Sequence, residues 1–475
     1  MTELEPVIGL EIHVQLKTRT KMFCGCELSF GDPPNTHTCP VCLALPGALP
    51  VANARAIHFA LMIGLALGCE IAPRSIFHRK NYFYPDLPKA YQISQYDEPI
   101  CLGGELAGVR LHRVHLEEDA AKLIHLGESG RIHGSETSVV DFNRGGTPLV
   151  EIVTEPELRS PEHAREWLTL LRATLRSLGV SDVNMEEGSL RADANVSLRP
   201  VGSSALGTKT ELKNMNSFRF LERGVAAEIE RQREILSSGA AIEQETLHFD
   251  PTTGRLTALR SKEEAQDYRY FPEPDLIPIA TSEQMKAAAA AEIGELPLDR
   301  AQRYEADLGL GADSAHTLAF RGELGDYFER VVAETGIDHA QQVANWMAQL
   351  VARIGDEDPA ETKVTPAGLG KLVELVAARS VSAAAAREVL DALVADGGDP
   401  QAIVIERGLG SLSSEDGDLA GIVAQAIAGD PSAAERVRSG NEKAIGALVG
   451  AVMRETRGRA DGAEVTRLIQ EQLGR

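Results

Sequence analysis

Aromatic residues are scarce in this chain of 475 residues, at 5% with two tryptophans, and so are long apolar runs. The longest uncharged apolar stretch, Ala56 to Cys69, is too short to cross a bilayer and reads as a packed helix. Positive charge is also in deficit. Lys and Arg total 48 against 70 Asp and Glu, a formal charge of -22, which argues against indiscriminate polyanion binding because the net field repels phosphate backbones. The first residues, Met1 to Pro6, are acidic rather than basic then apolar, unlike a secretory signal. A soluble cytoplasmic protein is expected. There is no Walker A sequence and no kinase glycine loop, so any ATP chemistry must use another scaffold.

At this length two or three domains are expected, and a 43% hydrophobic fraction leaves burial unrestricted. Between Leu111 and Pro156 the chain gathers Glu117, Glu118, Asp119, Asp141, Glu151 and Glu155 among strand-like apolar runs. Any one of these reads as a solvated loop acid. Together they repel unless a cation intervenes, which points to a hard, oxygen-rich divalent site with magnesium as the natural occupant.

The N-terminus supplies matching groups. Leu10, Ile12, Val14 and Leu16 alternate with Glu11, His13, Gln15 and Lys17, so one strand face is core and the other presents a carboxylate beside an imidazole. His13 alone would read as structural; with Glu11 and the later acids it suggests a metal or nucleotide site. Ser189 to Leu198 alternates in the same way, with Ser189, Arg191, Asp193, Asn195 and Ser197 on the polar face, and Lys209, Glu211 and Lys213 follow on a next strand. Such alternation belongs to antiparallel sheets with one buried face. Basic groups opposite acids suit a nucleotide triphosphate with its metal.

Cys24, Cys26, Cys39 and Cys42 form two close pairs across a short loop containing Gly31, Pro33 and Pro34. Four thiolates in that spacing suit a structural zinc, with reduced thiols or a disulfide as the alternatives. Asn53 to Gly68 and Ser160 to Gly179 read as capped helices. Arg79 to Asp97, rich in Tyr and Phe and carrying two prolines, reads as a built loop without a regular element. After Phe218 helical patterns take over, with one continuous stretch expected over Ala306 to Glu334. From Arg436 to Arg459 six basic residues face two acidic ones, a candidate RNA contact that also reads as a solvated helix face.

Several stretches resemble the GatB/GatE family, the B subunits of bacterial aspartyl/glutamyl-tRNA(Asn/Gln) amidotransferases: V-I-G-L-E-I-H-V-Q-L-K-T at Val7, R-K-N-Y-F-Y-P-D-L-P-K-A-Y-Q-I-S-Q at Arg79, H-L-E-E-D-A-A-K at His115, D-F-N-R-G-G-T-P-L-V-E-I-V-T-E-P at Asp141, and M-E-E-G-S-L-R-A-D-A-N-V-S-L-R-P at Met185. The resemblance covers essentially the whole chain. It implies an α+β protein, with an antiparallel-sheet cradle similar to glutamine synthetase and guanidino kinases over 1–293, carrying the zinc insertion at 24–42, then an all-helical domain over 294–400 and a helical tRNA-binding tail over 401–475.

The implied activity is ATP-dependent phosphorylation of the side-chain carboxyl of Glu-tRNA(Gln) or Asp-tRNA(Asn), then amidation by ammonia from a glutaminase A subunit. A small C subunit completes the heterotrimer, and the non-discriminating aminoacyl-tRNA synthetase is a further partner; no membrane is involved. Carried onto this sequence, the magnesium ligands are Glu11, His13, Glu118 and Glu151, which are also the catalytic set. The ammonia passage falls on Lys80, Tyr82, Lys89 and Glu118. From the polar strand faces, nucleotide and phosphate contacts are expected at Arg144, Arg191, Asp193, Asn195, Lys209 and Glu211. The cysteine spacing puts zinc on Cys24, Cys26, Cys39 and Cys42, and the basic patch puts tRNA contacts on Lys443, Arg454, Arg457 and Arg459. Two other classes fit parts of the sequence. A small-molecule carboxylate-amine ligase would share sheet and metal without needing the basic tail, and a non-catalytic zinc-containing RNA-binding subunit would leave the acids idle.

Overall fold

The computed structural model describes residues 3–126, 135, 137–258, 268–411, 418–439, 441–456 and 459–474. Contacts divide the chain into two compact units, Met1–Leu296 and Pro297–Arg475.

The first unit is built on a ten-stranded sheet whose centre is the N-terminal strand Leu4–Gln15. It pairs antiparallel with Pro148–Thr154 on one side and Leu190–Pro200 on the other. Val109–Glu118 lies beyond Pro148–Thr154. On the opposite flank come Thr210–Met215, then Thr246–Asp250 in parallel, then Arg255–Ala258.

Period-two alternation makes this sheet two-faced. Leu10, Ile12, Val14, Val114, Leu116, Val150, Ile152, Leu190, Ala192, Ala194 and Val196 are fully buried on one face. Each large side chain so buried contributes roughly 1.5–3 kcal/mol. Helix Phe218–Ser237 lies on the strands Leu190–Pro200 and Thr210–Met215 and packs against helix Pro161–Ser177, while helix Ala54–Ala66 covers Val109–Glu118. Their starts are set by local chemistry: the Ser160 hydroxyl accepts from the His163 N–H with Pro161 in the first turn, and the Asn53 side chain accepts from the N–H groups of Arg55 and Ala56. The other face carries Glu11, His13, Gln15, Arg191, Asp193, Asn195, His115, Glu117 and Glu151.

The segment Arg79 to Asp97 differs from the expected irregular loop. His78–Asn81 pairs with Tyr91–Ser94, and Phe271–Pro272 adds a third strand. Pro85 and Pro88 fall between the two strands, where neither interrupts a hydrogen-bond ladder. The cysteine loop is fastened by polar ties to the end of strand Thr137–Asp141, in a separate two-stranded sheet, and to the turn after it: Asn35 N–H donates to Asp141 Oδ1 at 3.1 Å, and His37 N–H to Asn143 Oδ1 at 2.8 Å. Asp141, expected among the cation-seeking acids, is therefore a loop fastener.

The second unit is helical. One core gathers residues from Ala301 to Leu409, and a smaller one residues from Leu419 to Leu473. The continuous helix expected over Ala306 to Glu334 is three, Pro297–Leu308, Ala312–Ala319 and Gly322–Thr335. Gly309, at φ +65°, turns the chain after the first, and Gly311 caps the second. Among the described residues no helix is long and apolar enough to cross a membrane.

Candidate active site

Strand register brings four residues into one row across the polar face. Arg191 stands opposite His13, His13 opposite Glu151, and Glu151 opposite His115. Glu117, two residues beyond His115 on the same face, completes the cluster. His13 Nε2 lies 3.6 Å from Glu117 Oε1 and 3.5 Å from Glu151 Oε2, and His115 Nε2 lies 3.3 Å from Glu151 Oε2. The Ser94 hydroxyl donates to Glu117 Oε2 at 3.2 Å.

The electrostatics follow from this packing. Burial lowers the His13 pKa, but the hydrogen bond to Glu151 and the charges of Glu151 and Glu117 outweigh it and raise it to about 9. Burial pushes the Glu151 carboxyl up, and the two histidines pull it well below the ordinary range. Glu117 behaves likewise under His115, His13 and Lys80. Lys80 is held charged against its own burial by Glu117 and Glu151, and its ammonium lies 5.0 Å from the centre of the Tyr268 ring. Tyr82 packs edge-on against that same ring.

Donor atoms of His13, Glu117 and Glu151 lie within 4.8 Å of one another. Two carboxylates and an imidazole at that spacing fit a divalent cation of the magnesium or manganese kind.

The carried-over ligand set is thus only partly assembled. His13 and Glu151 meet. Glu11 lies on the same face two residues along, opposite Asp193, and accepts from Asn195 Nδ2 at 2.9 Å. Glu118 leaves the strand on the other side, because consecutive residues alternate and Glu117 takes the place facing His13. It contacts the Lys89 ammonium and accepts from the Ile93 N–H at 3.0 Å. Both side chains line a cavity of about 100 Å³ shared with Lys21, Cys24, Cys42, Tyr91 and Asp275. Lys80 and Tyr82 do not line it; they stand by Glu117.

Of the phosphate-contact candidates, Arg191 forms an ion pair with buried Asp119 at 3.0 Å. Arg144 donates to the carbonyls of Ala120 and Ala121 and lies 3.7 Å from Asp119. Asp193 and Glu211 hold Lys213 at 3.4 and 2.9 Å, and Lys209 is exposed just ahead of its strand. Asp119, Glu117, His115 and Lys213 lie outside the site set that the resemblance implies. The motif H-L-E-E-D carries the first three, and its phase against Glu151 is the information that the sequence lacks.

The thiol sulfurs of Cys24, Cys26, Cys39 and Cys42 also lie within 4.8 Å of one another. A hydrogen bond with Cys24 pulls the Cys42 thiol down to about 4, aided by the Cys39 N–H and Lys21, while burial pushes Cys26 up to about 11. Four sulfurs at that spacing fit a tetrahedral cation of the zinc kind. In the C-terminal patch Lys443 and Arg454 are exposed. Arg459 is half-buried and donates to the carbonyls of Thr456 and Gly408. Arg457 lies outside the described residues.

Two family models match the chain: the GatB/GatE catalytic domain over residues 6–287 and the GatB domain over 326–473. Similar curated proteins include the B subunit of an aspartyl/glutamyl-tRNA(Asn/Gln) amidotransferase from Anaeromyxobacter sp. (strain Fw109-5), 47% identical over 488 residues, covering 100% of this chain and 99% of its own length. Proteins of the same name from Frankia casuarinae and Thermobifida fusca are 49% and 50% identical, covering 100% and 99% of this chain and 96% and 94% of their own lengths.

Proposed function

The chain belongs to the GatB/GatE family of tRNA-dependent amidotransferase subunits, and from that premise we propose that its sheet face is where a tRNA-borne carboxyl is phosphorylated and amidated. The enzyme of which it is part is an ATP-dependent ligase that makes Gln-tRNA and Asn-tRNA. The observation that carries the placement is the convergence of His13, Glu117 and Glu151 on a buried sheet face rimmed by Arg191 and Lys80.

A side-chain carboxylate is a poor electrophile. Transfer of the γ-phosphoryl group of ATP to the Glu or Asp carboxyl gives an acyl phosphate, ammonia attacks its carbonyl carbon, and inorganic phosphate leaves. His13, Glu117 and Glu151 would hold magnesium, replacing Glu118 in the set the resemblance implied, with Glu11 along the same strand. Bound there, the ion would neutralise charge on the transferring oxygens. Arg191, held by Asp119, and Lys213, held by Asp193 and Glu211, are fixed hydrogen-bond donors for a polyphosphate, together with Arg144 beside Asp119, Asn195 on the strand of Arg191, and Lys209. Preorganised donors of this kind stabilise developing charge without reorganising.

The acyl phosphate hydrolyses readily, so ammonia needs an enclosed route. Lys89 and Glu118, in the walled cavity, and Lys80 and Tyr82, beside Glu117, are the proposed passage. The ammonia would come from a glutaminase A subunit, with a small C subunit completing a cytoplasmic heterotrimer and the synthetase as a further partner. The domain limits 1–293, 294–400 and 401–475, a glutamine-synthetase-like cradle and zinc at the four cysteines belong to the same reading. Glu151→Gln tests it: ATP-dependent amidation of misacylated tRNA should fall by about a hundredfold or more while glutaminase activity of the assembled complex persists. Near-normal amidation in a folded variant would remove the site from this face.

A further inference from the structure

We propose that His115 is a positioning residue, an imidazole whose Nε2 edge holds the Glu151 carboxylate from behind, and that Arg113 orients the ring through Nδ1. The inference rests on the reading that His13, Glu117 and Glu151 hold the divalent cation.

His115 is 2% exposed and its Nε2 lies 3.3 Å from Glu151 Oε2 and 3.9 Å from Glu117 Oε2. It stands outside the donor set whose atoms lie within 4.8 Å of one another. His13, by contrast, is open to solvent at 22% of its side chain. The two imidazoles therefore divide the work, with His13 facing the cation and His115 behind the carboxylates.

The other ring nitrogen shows which edge is turned to the carboxylates. Arg113 Nε approaches His115 Nδ1 at 3.3 Å. An arginine Nε–H can only donate, so Nδ1 must be the acceptor and the ring proton sits on Nε2. Histidine orientation of this kind is usually seen on the ligand's own ring; here it acts on the carboxylates. The Ser94 hydroxyl fixes Glu117 from another direction.

The test compares His115→Gln, whose amide nitrogen falls near Nε2, with His115→Asn, whose amide nitrogen falls near Nδ1, and with His115→Met, which fills space without a donor. Binding of Mn²⁺ to the full-length chain is followed by electron paramagnetic resonance, with thermal melts in Mn²⁺-free buffer to establish folding. We expect His115→Asn and His115→Met to weaken Mn²⁺ about ten- to hundredfold, and His115→Gln to recover at least half of that loss on a logarithmic scale. Wild-type affinity in a folded donorless variant would overturn the proposal. So would equal weakening in Gln and Asn variants, which would mean packing alone. Glu151→Gln serves as the separate control: if it keeps Mn²⁺ as tightly as wild type, the cation site itself is misplaced, whatever His115 does.

Discussion

Glu117 and Glu118 are neighbours in sequence whose carboxylates serve opposite faces of one strand end. Glu117 points to His13, 3.6 Å away, and Glu118 to Lys89 and the Ile93 N–H. Both are buried. Charge removal at the two positions should therefore break different steps.

Glu117→Gln should lower amidation by about a hundredfold or more, whether the amide donor is glutamine or added ammonium salt, because the loss lies at the cation. Glu118→Gln should depress glutamine-dependent amidation while ammonium-dependent amidation is largely kept, because the loss lies in delivery. Side-by-side assays with the two donors check this. Equal loss with both donors in Glu118→Gln would return that residue to the cation site.

A second prediction concerns pH in the absence of magnesium. The His13 pKa rises from 6.5 to about 9 on folding, so its contribution to stability is fully present below about 6.5 and is lost as pH rises through 9. That contribution is on the order of 3 kcal/mol. Glu151 moves the other way: its contribution is present above its unfolded value and lost as pH falls through its depressed folded one. Unfolding midpoints of the first unit in magnesium-free buffer should decline between pH 6.5 and 9, and His13→Asn should flatten that decline. A wild-type slope retained in His13→Asn would assign the titration elsewhere.

Much of this site was legible in the sequence, and what was missed has a common cause. Alternation in Val7 to Lys17 and Ser189 to Leu198 predicts which side chains share a face, and the buried set Leu10, Ile12, Val14, Ala192, Ala194 and Val196 agrees. Alternation within a strand does not give register between strands. Whether Glu117 or Glu118 faces His13 depends on the pairing of His115 with Glu151, a contact between residues far apart in the chain. The same limit hid Asp119 under Arg191 and Asp141 under the cysteine loop. In the helical unit apolar spacing survives the tight turn at Gly309 and Gly311, so Ala306 to Glu334 reads as one helix where there are three.

The cysteine cluster gives a third prediction. Elemental analysis should find about one zinc per chain, and its removal should lower the melting temperature more than the amidation rate of the molecules that stay folded. With the Cys42 thiol drawn to about 4, metal-free protein should alkylate first at Cys42. Peptide mass spectrometry after brief iodoacetamide treatment reads this directly. Zinc-loaded protein should be protected, and a first hit at Cys26, whose thiol is pushed up, would contradict the charge distribution.

The last prediction divides the basic residues of the tail by what their side chains already do. Lys443 and Arg454 are exposed, which leaves them available to phosphates of a tRNA. Arg459 is not equivalent. Its guanidinium donates to the Thr456 carbonyl at 3.2 Å and the Gly408 carbonyl at 3.3 Å, so it joins the last helices to the segment after Pro400–Glu406. Replacing Lys443 and Arg454 together with alanine should raise KM for misacylated tRNA several-fold, leave kcat and the melting curve near wild type, and shallow the salt dependence of tRNA binding by roughly one to two released counterions. Arg459→Ala should lower the stability of the tail, with tRNA affinity following only as far as the tail unfolds. If the double variant binds tRNA as wild type does at every salt concentration, the exposed pair is a solvated helix face, and the nucleic-acid contact must be sought on another surface of the chain.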